Sequence, residues 1–308
     1  MTDSIRLLEE KITAYNAENG ERIAVLRDEP MAKHTSFKIG GAARLYLIPK
    51  DTDALIALCG FAKETGARTY LLGNGSNVLF DDAGFDGAVI STSALNQVEV
   101  CGTEITAQAG ASLASVCHAA KDNGLTGLEF AYGIPGSVGG AVTMNAGAYD
   151  GEIAFVLEES TYLDPDDLSV HTLSLEEHHY GYRESVYKHH DRVILSAKFK
   201  LREGNRDEIA AKMNDFMNRR VSKQPLEYPS AGSVFKRAPG HYTGQMIEES
   251  GLKGYTIGGA QVSEKHAGFI INRGGATSAD VLALVEHIRE VIRENYGVEL
   301  ECEIIHVK

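Results

Sequence analysis

The sequence predicts an α+β protein of two domains, and three observations carry that expectation. With 308 residues the chain is longer than one hydrophobic core usually serves. Apolar and polar residues alternate at 156–163 and 193–201, the period of half-exposed strands. Helical spacings separate and follow such runs, most clearly at 278–296. Hydrophobic content of 43% and charged content of 24% are ordinary for a soluble globular protein. No apolar run is long enough to span a bilayer.

Taken in order, Ile5, Leu8, Ile12 and Tyr15 fall at helical spacing among acidic residues, which also speaks against a signal peptide. A cytoplasmic protein is therefore expected. Residues 43–48 read as a strand and 53–63 as a helix with Leu55, Leu58 and Ala62 on one face. A short strand at 69–72 leads into Gly-Asn-Gly-Ser-Asn, and 87–91 and 104–109 are further strands. Ser112 caps a helix carrying Leu113, Val116, Cys117 and Ala120, which stops at Gly124. A glycine-rich run at 133–149 precedes the two alternating strands.

Beyond Gly204 the style changes, and a domain boundary is expected there. Residues 205–220 read as a helix with Ile209, Met213 and Phe216 inward. Pro225, Pro229, glycine turns and short strands ending near 269–271 follow. The helix at 278–296 carries Val281, Leu284, Val285, Ile288, Val291 and Ile292, and Gly297 closes it. Residues 300–307 form a last strand, apolar enough to rejoin a sheet. The expected division is 1–204 completed by 299–308, with a smaller α+β domain at 205–298.

Composition narrows the function. Cys59, Cys101, Cys117 and Cys302 are scattered without a C-x-x-C pair, so they read as reduced and mostly buried, with neither disulfides nor zinc. His178-His179 and His189-His190 read as surface loop histidines, and no metal is implied. A net charge of −13 opposes nucleic acid and anionic membranes as partners. No obligate protein partner is evident. Between Arg219 and Arg273, eight Lys or Arg stand against four Glu, which suits a small polyanion as well as an ordinary mixed surface.

Two loops carry the chemistry. Gly73-Asn-Gly-Ser-Asn77 and Gly133-Ile-Pro-Gly-Ser-Val-Gly-Gly-Ala-Val-Thr-Met-Asn-Ala-Gly-Ala-Tyr149 are rich in glycine, where backbone can approach a ligand and consecutive N–H groups can form an anion nest. Neither is a Rossmann fingerprint, since Val78 stands where the third glycine should, and neither ends like a P-loop. The expectation is one large phosphate-bearing ligand gripped from two sides by strand-to-strand turns.

Together with His34-Thr-Ser-Phe-Lys-Ile-Gly-Gly41, these loops resemble the FAD-binding half of the UDP-N-acetylenolpyruvoylglucosamine reductase family. Ala231-Gly-Ser-Val-Phe-Lys236 and Gly258-Gly-Ala-Gln-Val-Ser-Glu-Lys-His-Ala-Gly-Phe-Ile-Ile-Asn272 resemble its substrate half. The resemblance implies an FAD-binding domain of the vanillyl-alcohol-oxidase/PCMH type and a smaller substrate-binding domain. It also implies NADPH-dependent, FAD-mediated reduction of UDP-N-acetylglucosamine enolpyruvate. Gly73, Asn74, Gly75, Ser76, Asn77, Ile134, Gly139, Gly140 and Asn145 would hold FAD. Leu71 to Phe80 contains neither His nor Cys, so FAD is expected to be non-covalent. No long insertion stands between Ala238 and Gly254, and the chain looks like the family's shorter form, without its tyrosine-bearing loop.

The same resemblance assigns three catalytic residues. Ser233 matches the proton donor, although alone it reads as a turn serine. Arg183, in Tyr-Gly-Tyr-Arg-Glu-Ser, matches the arginine near the substrate carboxylate, and otherwise reads as a surface arginine. Glu303 matches the glutamate that stabilises the enolate-like intermediate. Strand alternation leaves Glu301 and Glu303 both open, and the family match selects Glu303. Cys302 stands where the family usually has proline. Tyr182, Lys223 and Lys236 are candidates for contacts to the substrate. A flavin oxidase or dehydrogenase of the same fold is the alternative, disfavoured by the two C-terminal motifs; a non-enzymatic flavin module is the third reading.

Overall fold

A computed structural model describes residues 3–238 and 240–308. The chain opens with α1 (Asp3–Asn19), which buries Ile5, Leu8 and Ile12 as its spacing predicts. There follow β1 (Ile23–Pro30), β2 (Ala42–Pro49), α2 (Thr52–Thr65), β3 (Thr69–Leu72), β4 (Val78–Phe80) and β5 (Phe85–Ser91). After these come β6 (Val98–Cys101), β7 (Glu104–Gln108), α3 (Leu113–Asp122), β8 (Leu125–Thr126), α4 (Val138–Met144), β9 (Gly147–Ala148) and β10 (Gly151–Glu152). The long strands β11 (Leu157–Leu163), β12 (Val170–Ser174) and β13 (Val193–Lys200) precede β14 (Arg202–Glu203), α5 (Arg206–Lys223) and α6 (Thr243–Glu249). The chain ends with β15 (Thr256–Ile257), β16 (Ala260–Val262), β17 (Ile270–Asn272), α7 (Ser278–Tyr296) and β18 (Ile305–Val307).

The chain forms two compact units, and neither is a continuous stretch. The first takes 3–27, 44–74 and 86–218. One of its cores gathers Leu8, Leu45, Leu55, Leu58, Ala88 and Ile90 from α1, α2 and the β1-β2-β5-β3 sheet. Its other sheet runs β12-β11-β13-β7-β6, with antiparallel neighbours throughout. Ile105, Ala107 and Phe199 from that sheet pack with Val116 of α3 and Val142 of α4. Ile209 and Met213 of α5 enter the same core, and Phe216 packs against it. That is why this unit runs to Asn218 instead of ending at the expected boundary near Gly204.

The second unit takes 28–43, 75–85 and 219–308. Its core sets Val281, Leu284 and Ile288 of α7 against Val262, Ile270, Phe37, Ile39 and Leu79. Asp82 ties one of the inserted segments to α7: its carboxylate accepts from the Ser278 N–H and from the Ser278 hydroxyl, both at 2.8 Å. The expected continuous strand at 300–307 is interrupted. Cys302 bridges Phe235, and only Ile305–Val307 forms β18, parallel to β4. Both β18 and β4 fall in the second unit, so the last strand completes that unit and not the 1–204 region.

Several local expectations change. The second glycine loop is not all turn, because α4 forms inside it with Ser137 as N-cap. β1, β6, β12 and α6 add elements that the periodicity did not reveal. All four cysteines are free, but only Cys117 is fully buried and Cys101 is exposed. His178 is no surface histidine: it is fully buried.

Candidate active site

The first glycine loop connects β3 to β4, and the chain passes from the first unit to the second between Asn74 and Gly75. Gly75 has φ +60, and a Cβ there would lie 2.2 Å from the His34 carbonyl, so only glycine fits. Its own carbonyl accepts from the Ser36 N–H at 3.0 Å. Among the described residues, the N–H groups of Asn74, Gly75 and Ser76 donate to no protein atom. Three successive unused donors around a left-handed glycine are what an anion nest for phosphate oxygens requires. That donor set fits a pyrophosphate-bearing cofactor such as FAD.

Gly73 opens the same loop and lies against the second one. A Cβ on Gly73 would come within 2.3 Å of the Ser137 hydroxyl, which caps α4. Sequence reasoning passed over Ser137; the Pro-Gly-Ser-Val order ahead of a buried apolar pair was the available N-cap signal. The second loop does not offer the row of free donors expected of it. The Val138 N–H donates to the Ala111 carbonyl and the Gly139 N–H to the Ala109 carbonyl, each at 2.8 Å. The Gly140 N–H turns to the Ser137 hydroxyl at 3.4 Å. Gly139 and Gly140 thus contribute close packing and low relief, not anion donors. Ile134 is half-buried and packs against the neighbouring core.

Asn145 ends α4 in the left-handed region, φ +43, and is nearly fully buried. Its amide nitrogen donates to the Gly181 carbonyl at 3.0 Å, and its amide oxygen accepts from the Ala154 N–H at 3.0 Å. Gly181 begins a tight turn in which Gly181 and Glu184 exchange backbone bonds of 3.1 and 3.2 Å. Arg183 occupies that turn at φ +55. Its guanidinium reaches back to the carbonyls of Asn145, at 3.3 Å, and Gly147, at 3.0 Å. Two expected residues from distant parts of the sequence, Asn145 and Arg183, are therefore brought together. Tyr182 is exposed beside the Arg183 guanidinium.

In the second unit, Ser233 and Glu303 lie on paired segments. The Glu303 N–H donates to the Val234 carbonyl at 2.7 Å, and the Lys236 N–H donates to the Glu301 carbonyl at 2.9 Å. Phe235 and Cys302 are the partners between those bonds. On its other side Ser233 bridges Phe269, and the Val234 N–H donates to the Gly268 carbonyl at 2.9 Å. The Ala231–Lys236 motif is thus held between the Gly258–Asn272 motif and the Glu303 segment. Asn77 of the first glycine loop adds a bond from its amide to the Glu303 carbonyl, at 3.1 Å. Ser233 is exposed and Glu303 half-buried.

The remaining candidates separate. Glu301 is exposed and forms an ion pair with Lys236. Lys223 is exposed at the end of α5. Lys253 pairs with Glu248 at 2.7 Å and Lys265 with Glu227 at 3.6 Å, so part of the basic excess at 219–273 is neutralised locally. Burial raises the Cys302 thiol's pKa, so it stays protonated beside Glu303. Among the described residues no group of His, Cys, Asp or Glu could hold a metal ion.

Comparison with known proteins gives this geometry a context. Residues 224–307 match the family described as UDP-N-acetylenolpyruvoylglucosamine reductase, C-terminal domain, and residues 43–172 match an FAD binding domain. The UDP-N-acetylenolpyruvoylglucosamine reductase of Caldanaerobacter subterraneus is 49% identical over 277 residues, 90% of this chain and 91% of the relative. That of Clostridium perfringens is 46% identical over 286 residues, 93% of each. The crystal structure of UDP-N-acetylenolpyruvylglucosamine reductase from Thermus caldophilus superposes with a TM-score of 0.78 at 33% identity. It covers 93% of this chain and 99% of that one.

Proposed function

The chain belongs to the UDP-N-acetylenolpyruvoylglucosamine reductase family, and from that premise we propose how its own residues divide the work. It is an FAD-dependent oxidoreductase that reduces UDP-N-acetylglucosamine enolpyruvate to UDP-N-acetylmuramate in peptidoglycan synthesis. NADPH is the reductant in this reading, the FAD is non-covalent, and the substrate is a small molecule. No helix among the described residues is long and apolar enough to cross a membrane, and the reading puts the reaction in the cytoplasm.

The unused N–H groups of Asn74, Gly75 and Ser76 would hold the FAD pyrophosphate, and Gly139 and Gly140 would let it approach the chain. When bound, FAD supplies two-electron hydride transfer. Reduction of the enolpyruvyl ether at its β-carbon would put charge on the adjacent carbon and its carboxylate, and the chain's own residues must meet that charge. Arg183 grips that carboxylate; its guanidinium is held towards the glycine loop by the Asn145 and Gly147 carbonyls. The Ser233 hydroxyl donates the proton that completes the reduction, and Glu303 stabilises the developing charge as a protonated acid. Lys223, Lys236 and Tyr182 stay candidates for the uridine diphosphate or the carboxylate, Lys236 through exchange with Glu301.

The observation that carries this division is the pairing of the Ser233 segment with the Glu303 segment through the Val234 carbonyl. The experiment is anaerobic. Protein reduced by NADPH is mixed with UDP-N-acetylglucosamine enolpyruvate, and the flavin absorbance is followed. Rapid reoxidation with UDP-N-acetylmuramate as product is expected; a flavin that stays reduced until oxygen enters would overturn the reading.

A further inference from the structure

Outside the ligand loops, the first unit holds a chain of three buried hydroxyl and imidazole groups. Ser160 and His178 have no exposed surface, and Tyr187 is 6% exposed. His178 Nδ1 lies 2.7 Å from the Ser174 carbonyl, which can only accept, so Nδ1 carries the proton. Nε2 then accepts from the Ser160 hydroxyl at 2.7 Å. That leaves Ser160 Oγ to accept from the Tyr187 hydroxyl at 2.6 Å. Donors therefore run one way, from Tyr187 to Ser160 to His178 to the Ser174 carbonyl, with every member satisfied. Burial pushes the imidazole's pKa down and keeps it the neutral acceptor that the chain needs. A serine beside a histidine suggests a nucleophile, but Ser160 is sealed from solvent and its oxygen is taken by Tyr187.

The position of this chain gives it another use. His178 and Tyr187 stand at the two ends of residues 179–186, and the tip of that segment is the turn carrying Arg183 at φ +55. The His178 ring also stacks on Tyr180, 5.0 Å between centroids. The other side of the segment is tied to the second glycine loop. There the Ser185 hydroxyl donates to the Thr143 carbonyl at 2.6 Å, and Asn145 bonds the Gly181 carbonyl. A strained arginine in a short turn keeps one orientation only if the surrounding bonds over-determine it.

We propose that Tyr187, Ser160 and His178 are positioning residues for Arg183. Their buried chain pins both ends of 179–186, so that the guanidinium meets the substrate carboxylate without reordering the turn. This rests on the reading of Arg183 as the carboxylate grip.

Calorimetry on the FAD-loaded protein tests it by comparing UDP-N-acetylmuramate, which bears a carboxylate, with UDP-N-acetylglucosamine, which does not. Tyr187→Phe keeps the ring and removes the first donor; His178→Phe keeps the stacking on Tyr180 and removes the central acceptor. Each should lower the affinity ratio of the two sugars about 10-fold. Each should also slow flavin reoxidation by substrate on the order of 10- to 100-fold, the scale expected for a misplaced binding group. Neither should add to the loss caused by Arg183→Gln in the double variant. A wild-type ratio in Tyr187→Phe, an equal fall in both affinities, or full additivity with Arg183→Gln overturns the proposal. Should His178→Phe fail to fold, Tyr187→Phe decides alone. A low ratio in Arg183→Gln beside a wild-type Tyr187→Phe sinks this inference only, whereas a wild-type ratio in Arg183→Gln sinks the reading of Arg183 and the inference with it.

Discussion

The Glu303 N–H donates to the carbonyl of Val234 at 2.7 Å, the residue next to Ser233. Glu301 is bonded into the same ladder through the Lys236 N–H, so exposure and ion pairing are what distinguish the two glutamates that strand alternation leaves open. Glu301 is exposed and spent on Lys236, whereas Glu303 is half-buried beside the serine segment. A carboxylic acid that stabilises a developing anion should therefore be Glu303. The rate of flavin reoxidation by substrate is expected to fall in the order wild type, Glu303→Gln, Glu303→Ala. The alanine defect should be on the order of 10²–10³-fold or more. Glu301→Gln should stay near wild type, because an exposed ion pair contributes little. A large defect at Glu301 with little at Glu303 would mean that this part of the ladder is misassigned.

In the first glycine loop, Gly75 is the position that tolerates a side chain least. Alanine there would need φ +60 and would press its methyl group against the His34 carbonyl. The backbone term alone is roughly 1–2 kcal/mol. Gly75→Ala is expected to purify with little flavin colour and to take up FAD at least about 10-fold more weakly, a loss of about 1.4 kcal/mol or more. Titration by the quenching of flavin fluorescence measures this. Full occupancy at wild-type affinity would remove Gly75 from the cradle.

Asp280 links a sequence motif to helix α7 and gives a pH signature. Its carboxylate accepts from the Thr277 N–H at 3.0 Å and the Gly259 N–H at 3.1 Å, closing a capping box beneath the Gly258 turn. Those two backbone bonds, Thr277 first, lower its pKa in the folded protein. A carboxyl whose folded pKa lies below its unfolded value, about 3.9, adds stability above that value and loses it as pH falls through the folded pKa. Asp280→Ala should cost on the order of 1 kcal/mol at neutral pH. Its Tm deficit should shrink as both proteins are taken below about pH 4. A deficit constant from pH 7 to pH 3 would show that the charge is not involved.

Much of this architecture was legible, and the exceptions have physical causes. α7 follows its apolar spacing from Ser278 to Tyr296, and Gly297 stops it in the left-handed region. β3 likewise ends where the first glycine loop begins. α4 was hidden because Gly139 and Gly140 are poor helix formers. What holds it is tertiary: Val138 and Gly139 donate to the carbonyls of Ala111 and Ala109, and Ala141 and Val142 are buried. The two compact units depart from the expected division for a similar reason. Residues 28–43 and 75–85 belong with α7 through Phe37, Ile39 and Leu79, a partnership that no local composition signals. His178 looked like a loop residue because its partner Ser160 is eighteen residues away in sequence. Resemblance singled out the candidate site motifs, whereas the neighbours of Gly73 and Arg183, Ser137 and Asn145, became visible only in three dimensions.

The central claim is that Ser233 supplies the proton in the second half-reaction only, and a stopped-flow comparison of Ser233→Ala with wild type tests it most directly. Both proteins are loaded with FAD, reduced with NADPH without oxygen, and then mixed with UDP-N-acetylglucosamine enolpyruvate in a single turnover. The account predicts that FAD affinity and the rate of reduction by NADPH stay within about twofold of wild type, while reoxidation by substrate slows about 10²–10⁴-fold, as for loss of a general acid. A variant slowed equally in both half-reactions, or one that reoxidises at the wild-type rate, would contradict it.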